Sequence, residues 1–230
     1  VVDGESASTF YSYEFEGLQA GNGTPLFKNM DIEGADGPIE YLIKTGKFTP
    51  DFSGGLNTML KYKRLSLYAL FTIQWGGHNR LPVLYPAASS TGGGIATPEQ
   101  NVSRTLKNRW REPGDEEKTF IPSLPGVGET LAYLPETESS YKTMINPYNQ
   151  YDNSDLRVAN SDFIKCRSIS LSYELNEKLL KFLRVKYALV KLSMTNPFML
   201  VSDKKWEGID PETGNWPTRR VSSFSLQLMF

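Results

Sequence analysis

Counting back from the last residue, every second side chain is apolar: Phe230, Leu228, Leu226 and Phe224 alternate with Met229, Gln227, Ser225 and Ser223. Successive residues of a strand point to opposite faces, so Arg219–Phe230 predicts a strand with one apolar and one mostly polar face. About a dozen residues suffice to cross a bilayer at a tilt, since roughly 9–11 are needed. The same segment would serve equally as the last strand of a soluble sandwich. The period-two signal is strongest over Leu65–Gly76. There Leu65, Leu67, Ala69, Phe71, Ile73 and Trp75 share one face, and Ser66, Tyr68, Thr72 and Gln74 the other, with Leu70 out of pattern.

Asp51–Tyr62 predicts a strand paired to it across a tight link at Lys63-Arg64. Downstream, Asp162–Leu175 sets Ile169, Leu171, Tyr173 and Leu175 against Ser168, Ser170 and Ser172. Val185–Asn196 sets Ala188, Val190, Leu192 and Met194 against Tyr187, Lys191, Ser193 and Thr195. Asn176 caps a short helical turn through Leu183 between these two strands. Thr9–Glu16, rich in aromatics, predicts a first strand, and the turn-dense stretch Gly17–Pro50 a loop with a short strand near Leu26-Phe27. His78–Ser161 carries little strand pattern, and connections this long are usually functional or disordered. One helix is predicted within it: Thr97 as N-cap, Pro98 at the first position and Gln100 completing a capping box. Val102, Leu106 and Trp110 then fall on one face before Pro113-Gly114 ends it. Pro197–Thr218 reads as a further loop.

The connections alternate: short at 63–64 and 176–183, long at 17–50, 77–161 and 197–218. Outer-membrane barrels have this asymmetry, with tight periplasmic turns and long extracellular loops. About six strands cannot close such a barrel, whose minimum is about eight, and an open edge in lipid leaves backbone groups unpaired at a cost of several kcal/mol each. The pattern predicts an all-β fold, an antiparallel transmembrane β-barrel segment with long extracellular loops, one carrying a short helix. A soluble β-sandwich binding module, for carbohydrate, is the alternative.

Composition narrows the function classes. With 25 basic and 26 acidic side chains in 230 residues, nothing electrostatic points to nucleic acid. No apolar run approaches the roughly 18 residues of a membrane helix, an absence that leaves a barrel open because its alternating strands keep mean hydropathy low. Cys166 is the sole cysteine, so an internal disulfide is impossible. The opening Val1–Ser6 reads as mid-protein sequence rather than a signal peptide, which predicts a piece of something longer.

Several segments resemble, in order and spacing, the late barrel of SusC/RagA-type TonB-dependent transporters. They are Gly17-Leu18 with Asn22–Pro25, Gly46–Lys63 followed by Leu65–Leu67, Asn108–Asp115 with Ile121-Pro122, Asp162–Tyr173, Lys191–Asn196, Asp210–Glu212 and the terminal Phe230. The resemblance implies that residues 1–230 form the C-terminal part of a barrel of about 22 strands with a plugged lumen. The plug domain and earlier strands would be absent, and the long loop 77–161 extracellular. It implies import of oligosaccharides or peptides across the bacterial cell outer membrane, with a SusD-like surface lipoprotein and the TonB complex as partners. TonB would act through the missing N-terminal part. The resemblance implies no enzymatic activity and no cofactor.

The residues offer little else for chemistry. His78 is the only histidine, sits past a strand end and has no nucleophile signature near it, which predicts an exposed loop histidine. Lys165 and Arg167 flank Cys166 but point to the opposite face, so the thiol is read as a small filler. Gly92–Gly94 lacks the lysine of a phosphate-binding loop. Asp210–Asn215 departs from a calcium loop and reads as an acidic turn, and Glu116-Glu117 as a solvated charge pair. A β-rich glycosidase would need two carboxylates about 5–10 Å apart, which spacing along one chain does not establish. Trp110, Trp206 and Trp216 fall in predicted extracellular loops as candidates to stack on cargo or touch a partner, or to pack the loops together. Tyr148 and Tyr151 would line the vestibule or join an aromatic belt, and Trp75 fits such a belt. No metal site is predicted. By the resemblance, Phe224, Leu226, Leu228 and Phe230 form the C-terminal signal for barrel assembly.

Overall fold

The computed structural model describes residues 4–28, 42–85, 101–125, 132–133 and 144–230. In chain order its strands are β1 (Thr9–Tyr13), β2 (Phe15–Leu18), β3 (Pro25–Phe27), β4 (Leu42–Lys47), β5 (Phe52–Tyr62), β6 (Leu65–Trp75), β7 (His78–Arg80), β8 (Ala132–Tyr133), β9 (Met144–Ile145), β10 (Val158–Asn160), β11 (Phe163–Glu174), β12 (Tyr187–Val201) and β13 (Val221–Met229). Two α-helices, α1 (Pro147–Asp152) and α2 (Glu177–Leu183), complete the regular elements with several single 3₁₀ turns. The chain divides into two compact units, one of Val1–Phe48 and Asn79–Ala159, the other of Thr49–His78 and Asn160–Phe230.

The second unit is a five-stranded antiparallel sheet in the order β13-β12-β11-β6-β5. Register follows side-chain pattern. Leu60 lies opposite Leu67, Leu67 opposite Leu171, Leu171 opposite Leu192 and Leu192 opposite Phe224, an apolar ladder running across all five strands. A slip of one residue either way in β11, β12 or β13 would put a serine or lysine into that ladder. The tight link at Lys63-Arg64 forms as predicted, with Lys63 at φ 53° in the left-handed region. α2 also forms where expected, Asn176 accepting from the Leu179 amide as N-cap.

One irregularity shapes the sheet. Between Cys166 and Ser168 the register shifts against both neighbours: Arg167 is an extra residue against β6, whereas β12 sets two residues, Asn196 and Pro197, against it. The apolar positions of β11 switch from even (Ile164, Cys166) to odd (Ile169, Leu171, Tyr173) at this bulge, so the face stays continuous. Asn196, with φ 50°, and Pro197 are unpaired at the same level of β12. Proline is tolerated there because a bulge asks for no ladder hydrogen bond. β12 therefore continues to Val201 rather than ending at Asn196.

The first unit corrects the sequence reading in three places. The expected Thr9–Glu16 strand is interrupted at Glu14, and its first part, β1, pairs with β4 instead of extending the five-stranded sheet. Five residues are too few to span a bilayer, for which roughly 9–11 are needed, and among the described residues the main sheet holds five strands. β4 itself lies in what reads as loop, and β3 with its partner β2 matches the short strand near Leu26-Phe27. The helix expected from Thr97 through Trp110 is a 3₁₀ turn, Arg104–Asn108, capped by Ser103. Thr97, Pro98 and Gln100 lie outside the described residues. Val102 is exposed while Leu106 and Trp110 are buried, so the three do not form one helical face. The Trp110 amide donates to Ile121 O at 2.9 Å, which ends any helix there. Among the described residues of this stretch the α-helix is α1, whose Asn146 cap and Pro147 at the first turn repeat the same start signal.

Candidate functional site

The sheet's two faces differ sharply. On one, the paired positions of β5, β6, β11, β12 and β13 carry Leu, Ile, Val, Met, Phe, Trp, Ala and Tyr side chains with a few Gly, Thr, Cys and Ser, and no charged residue. This face is largely uncovered: Leu192 and Leu226 are each 54% exposed, and Leu56, Leu60, Leu171 and Phe224 are exposed as well. The 11 residues of β5, rising about 3.3 Å each, span some 35 Å, which at a tilt of 35–45° stands about 25 Å tall. Aromatics mark both ends of that height, Phe52 opposite Trp75 at one and Tyr62 opposite Leu65 near Tyr173 at the other. An uncharged band of about 25 Å between aromatic girdles is the lipid-facing pattern of a membrane barrel. The dry centre of a soluble sandwich, in which Leu226, Leu171 and Phe71 would meet, is absent among the described residues. Cys166 is fully buried in this face with Phe71 across from it on β6 and Phe198 on β12, the latter two rings 6.3 Å apart. This fits its reading as a filler.

The opposite face is mostly polar, with apolar residues such as Met59, Leu70 and Leu189 among its serines, threonines and lysines, and carries an ion cluster. Lys165 and Arg167 both point to it, Arg167 by way of the bulge, its Nε donating to Thr72 Oγ1 at 3.0 Å. The loop between β12 and β13 returns over this face. Its Asp210 is fully buried and takes the Lys165 ammonium in an ion pair, while Glu212 accepts from Lys165 Nζ at 3.0 Å and from Arg167 at 2.5 Å. Burial by itself would push the Glu212 carboxyl up. Hydrogen bonds from Arg167 and Lys165, together with their charges, outweigh it and hold the carboxyl below its ordinary value. The acidic turn expected at Asp210–Asn215 is thus a docking knuckle whose carboxylates are occupied by cations.

The five aromatic candidates take different positions. Trp206 is 1% exposed, its Nε1 donating to Asn160 O at 2.7 Å, so it packs its own loop. Trp110 is buried in the first unit, donating from Nε1 to Glu116 Oε2 at 2.9 Å. Gly23 passes beneath its indole at φ 70°, where a Cβ would stand 2.4 Å from the ring. Glu116 also accepts from the Gly114 amide, so it is a turn-forming partner rather than a solvated charge. Tyr148 and Tyr151 lie in the interior of the same unit with Phe27, Leu84, Tyr85 and Leu106. Tyr148 is fully buried, its hydroxyl 3.0 Å from Ser123 Oγ. Neither tyrosine lines a vestibule nor joins a belt within this chain. Each is large enough to supply the core of a loop unit that has few aliphatics. Desolvation pushes the Tyr151 phenol up to about 12. Trp216 alone stands free, 80% exposed.

Sequence reasoning missed two groups here. Asp152, inside the first unit, accepts from the Leu84 and Tyr85 amides at 2.8 and 2.9 Å beside Arg157, tying segments that are distant in sequence. Burial raises its carboxyl above the usual range. Arg80 donates to Tyr11 O at 2.6 Å and lies over the Phe10 ring. Nothing local in the sequence signals either, since both act over long separations. His78 is a half-buried residue of β7 rather than an exposed loop residue. Gly92–Gly94 lie outside the described residues. The terminal strand keeps Phe224, Leu226, Leu228 and Phe230 all exposed.

No family model matches the chain. In sequence it is similar to TonB-dependent receptor P3 of Formosa agariphila, 25% identical over 261 residues that cover 99% of this chain and 22% of that protein. In structure it superposes on the RagAB peptide importer in its 'open-open' state with a TM-score of 0.60 at 20% identity, covering 100% of this chain and 24% of that one. The RagAB peptide transporter gives the same TM-score and identity, over 96% of this chain and 22% of that one. The chain is thus similar in sequence to a TonB-dependent receptor and in fold to part of RagAB. It is mostly β, similar to part of the RagAB barrel, and its address is the outer membrane of a Gram-negative bacterium. The chain spans between a fifth and a quarter of the length of these relatives. Their names are those of a receptor and of importers, not of enzymes.

Proposed function

We propose that this chain is the C-terminal part of the barrel of a SusC/RagA-type, outer-membrane, TonB-dependent importer of oligosaccharides or peptides. Other parts of the same protein would supply the plug and the remaining strands. The observation that carries the reading is the uncharged, uncovered face that continues across five strands between aromatic ends. Water is a poor solvent for so large an apolar surface, whereas hydrocarbon accepts it. The outer edges of β5 and β13 have no strand partner among the described residues, which fits neighbours contributed by the rest of a barrel.

On this reading the apolar face meets lipid, the polar face lines the lumen or touches the plug, and the loops form the outer vestibule. The first unit, with the described parts of 77–161, is extracellular and packs Trp110, Tyr148 and Tyr151 to hold its shape. A SusD-like surface lipoprotein is the partner at that surface, and TonB engages a part of the protein other than this chain. Transport rests on plug displacement, and no residue here carries covalent chemistry. Phe224, Leu226, Leu228 and Phe230 act as the barrel-assembly signal. The test is uptake by cells carrying the full-length transporter, offered a labelled tryptic digest and a labelled polysaccharide hydrolysate. Import that requires both the transporter and TonB supports the reading. Cells that take up neither mixture, or that take them up without TonB, contradict it.

A further inference from the structure

The last residue of α1 is Asp152, a carboxylate at the end where the helix dipole is negative and disfavours it. Residues that break a local rule in this way commonly serve something beyond their own element. Here the side chain is buried, and both its oxygens act at long range: Oδ1 accepts from the Leu84 amide at 2.8 Å and Oδ2 from the Tyr85 amide at 2.9 Å. Arg157 balances the charge from 3.6 Å and donates to Pro82 O, so it holds the same stretch. The next three residues turn to a different segment. Asn153 O accepts from the Tyr13 amide at 3.3 Å, Ser154 forms a bridge with Tyr13, and Asp155 Oδ1 accepts from the Phe15 amide at 3.0 Å. Four consecutive residues thus grip the chain on both sides of the β5–β6 hairpin, at 13–15 before it and, with Arg157, at 82–85 after it.

Among the described residues, neither segment has a core without the other. In the first, β1 pairs only with β4 and β2 only with β3, and two-stranded ribbons are at best marginal in water. Tyr13, Phe15 and Phe27 of these ribbons pack into one cluster with Tyr85, Tyr148 and Tyr151 of the second segment. Phe15 meets the Tyr151 ring at 5.8 Å in a T-shaped pair. A second seam joins the same two segments where the Ser123 amide donates to Gly23 O at 3.1 Å. We propose that residues 152–155 are a clamp that makes the segment before the β5–β6 hairpin and the segment after it one cooperative body. The two open and close together, on one equilibrium, rather than as separate loops. A disturbance that reaches either segment is therefore felt by both. This inference concerns packing inside the first unit and stands whether or not the chain belongs to an importer.

The test is native-state hydrogen exchange on the full-length protein in detergent, resolved to single amides by fragmentation in the mass spectrometer. In the wild type, the Tyr13, Phe15, Leu84 and Tyr85 amides are expected to share one opening equilibrium and one dependence on added urea. Asp152→Asn takes away an acceptor of the Leu84 and Tyr85 amides. It is expected to cut protection there by about 10-fold or more, and by the same factor at Tyr13 and Phe15, which it does not touch. Asp155→Ala runs the experiment in reverse: it removes the acceptor of the Phe15 amide and is expected to lower Leu84 and Tyr85 equally. Amides of β6 and β11 should keep their wild-type protection in both variants. Loss confined to the segment whose acceptor was removed would overturn the inference, as would no loss in either variant. So would wild-type segments that open with different urea dependence, a comparison that needs no substitution and decides the matter even where a variant fails to assemble.

Discussion

Gly23 and Trp110 show how single residues set the loop unit. The glycine stands at φ 70° with the indole face against its Cα, so any side chain is excluded twice, by backbone conformation and by the 2.4 Å approach of a built Cβ. Gly23→Ala is expected to cost about 1–3 kcal/mol of local order, read as faster hydrogen exchange at the Trp110 and Ser123 amides. Glu212 supplies a pH-dependent residue-scale test. Its carboxyl sits below the ordinary 4.5 because pairing with Arg167 and Lys165 outweighs its burial. A carboxylate with a depressed folded pKa adds stability above its unfolded value and loses it as pH falls through the folded one. The knuckle at Asp210–Asn215 should therefore resist external protease above pH 4.5 and yield progressively below it. Glu212→Gln should yield at all pH values. Protection that does not change across this range would argue against the ion cluster as the loop's anchor.

At the scale of elements, the sheet was legible and the loops were not. β5, β6, β11 and β13 appear within a residue or two of where alternation puts them, because a strand exposed to two different media writes its period into its sequence. Even the bulge is visible in β11, as the switch of apolar positions from Cys166 to Ile169. β1 and β4 went astray because short strands that pair locally need no two-medium pattern. The turn at Arg104–Asn108 misled because a start signal at Thr97 and three apolar residues at helical spacing do not show that Trp110 bonds to Ile121. Among the candidate aromatics, composition could not separate a ring that packs a loop, such as Trp206 or Tyr148, from the one left free, Trp216, since burial depends on segments far apart in sequence. The strand faces predict their own mutational asymmetry. In the full-length protein, Leu192→Arg should lower the urea midpoint of unfolding from phospholipid vesicles by an amount equivalent to about 2–4 kcal/mol. The adjacent Ser193→Arg, on the polar face, should cost about 0–1 kcal/mol. Deleting Phe230 is expected to reduce the assembled, heat-modifiable barrel several-fold without altering the register of β13 against β12.

For the whole molecule, one relation organises the rest: on the proposed reading the apolar face of the five-stranded sheet meets lipid while its other face is mostly polar, and the loop after β12 folds back onto that second face. Two sheets packed on a shared core would reverse the relation. Nitroxide labels placed one at a time from Ala188 to Thr195 of β12, in the full-length protein reconstituted in phospholipid vesicles, read it most directly. The account predicts collision with oxygen dissolved in the bilayer at Ala188, Val190, Leu192 and Met194, alternating with collision with a water-soluble nickel chelate or burial against the plug at Leu189, Lys191, Ser193 and Thr195. Even-numbered labels that are shielded from oxygen, or that meet the chelate as readily as their odd-numbered neighbours, would contradict it.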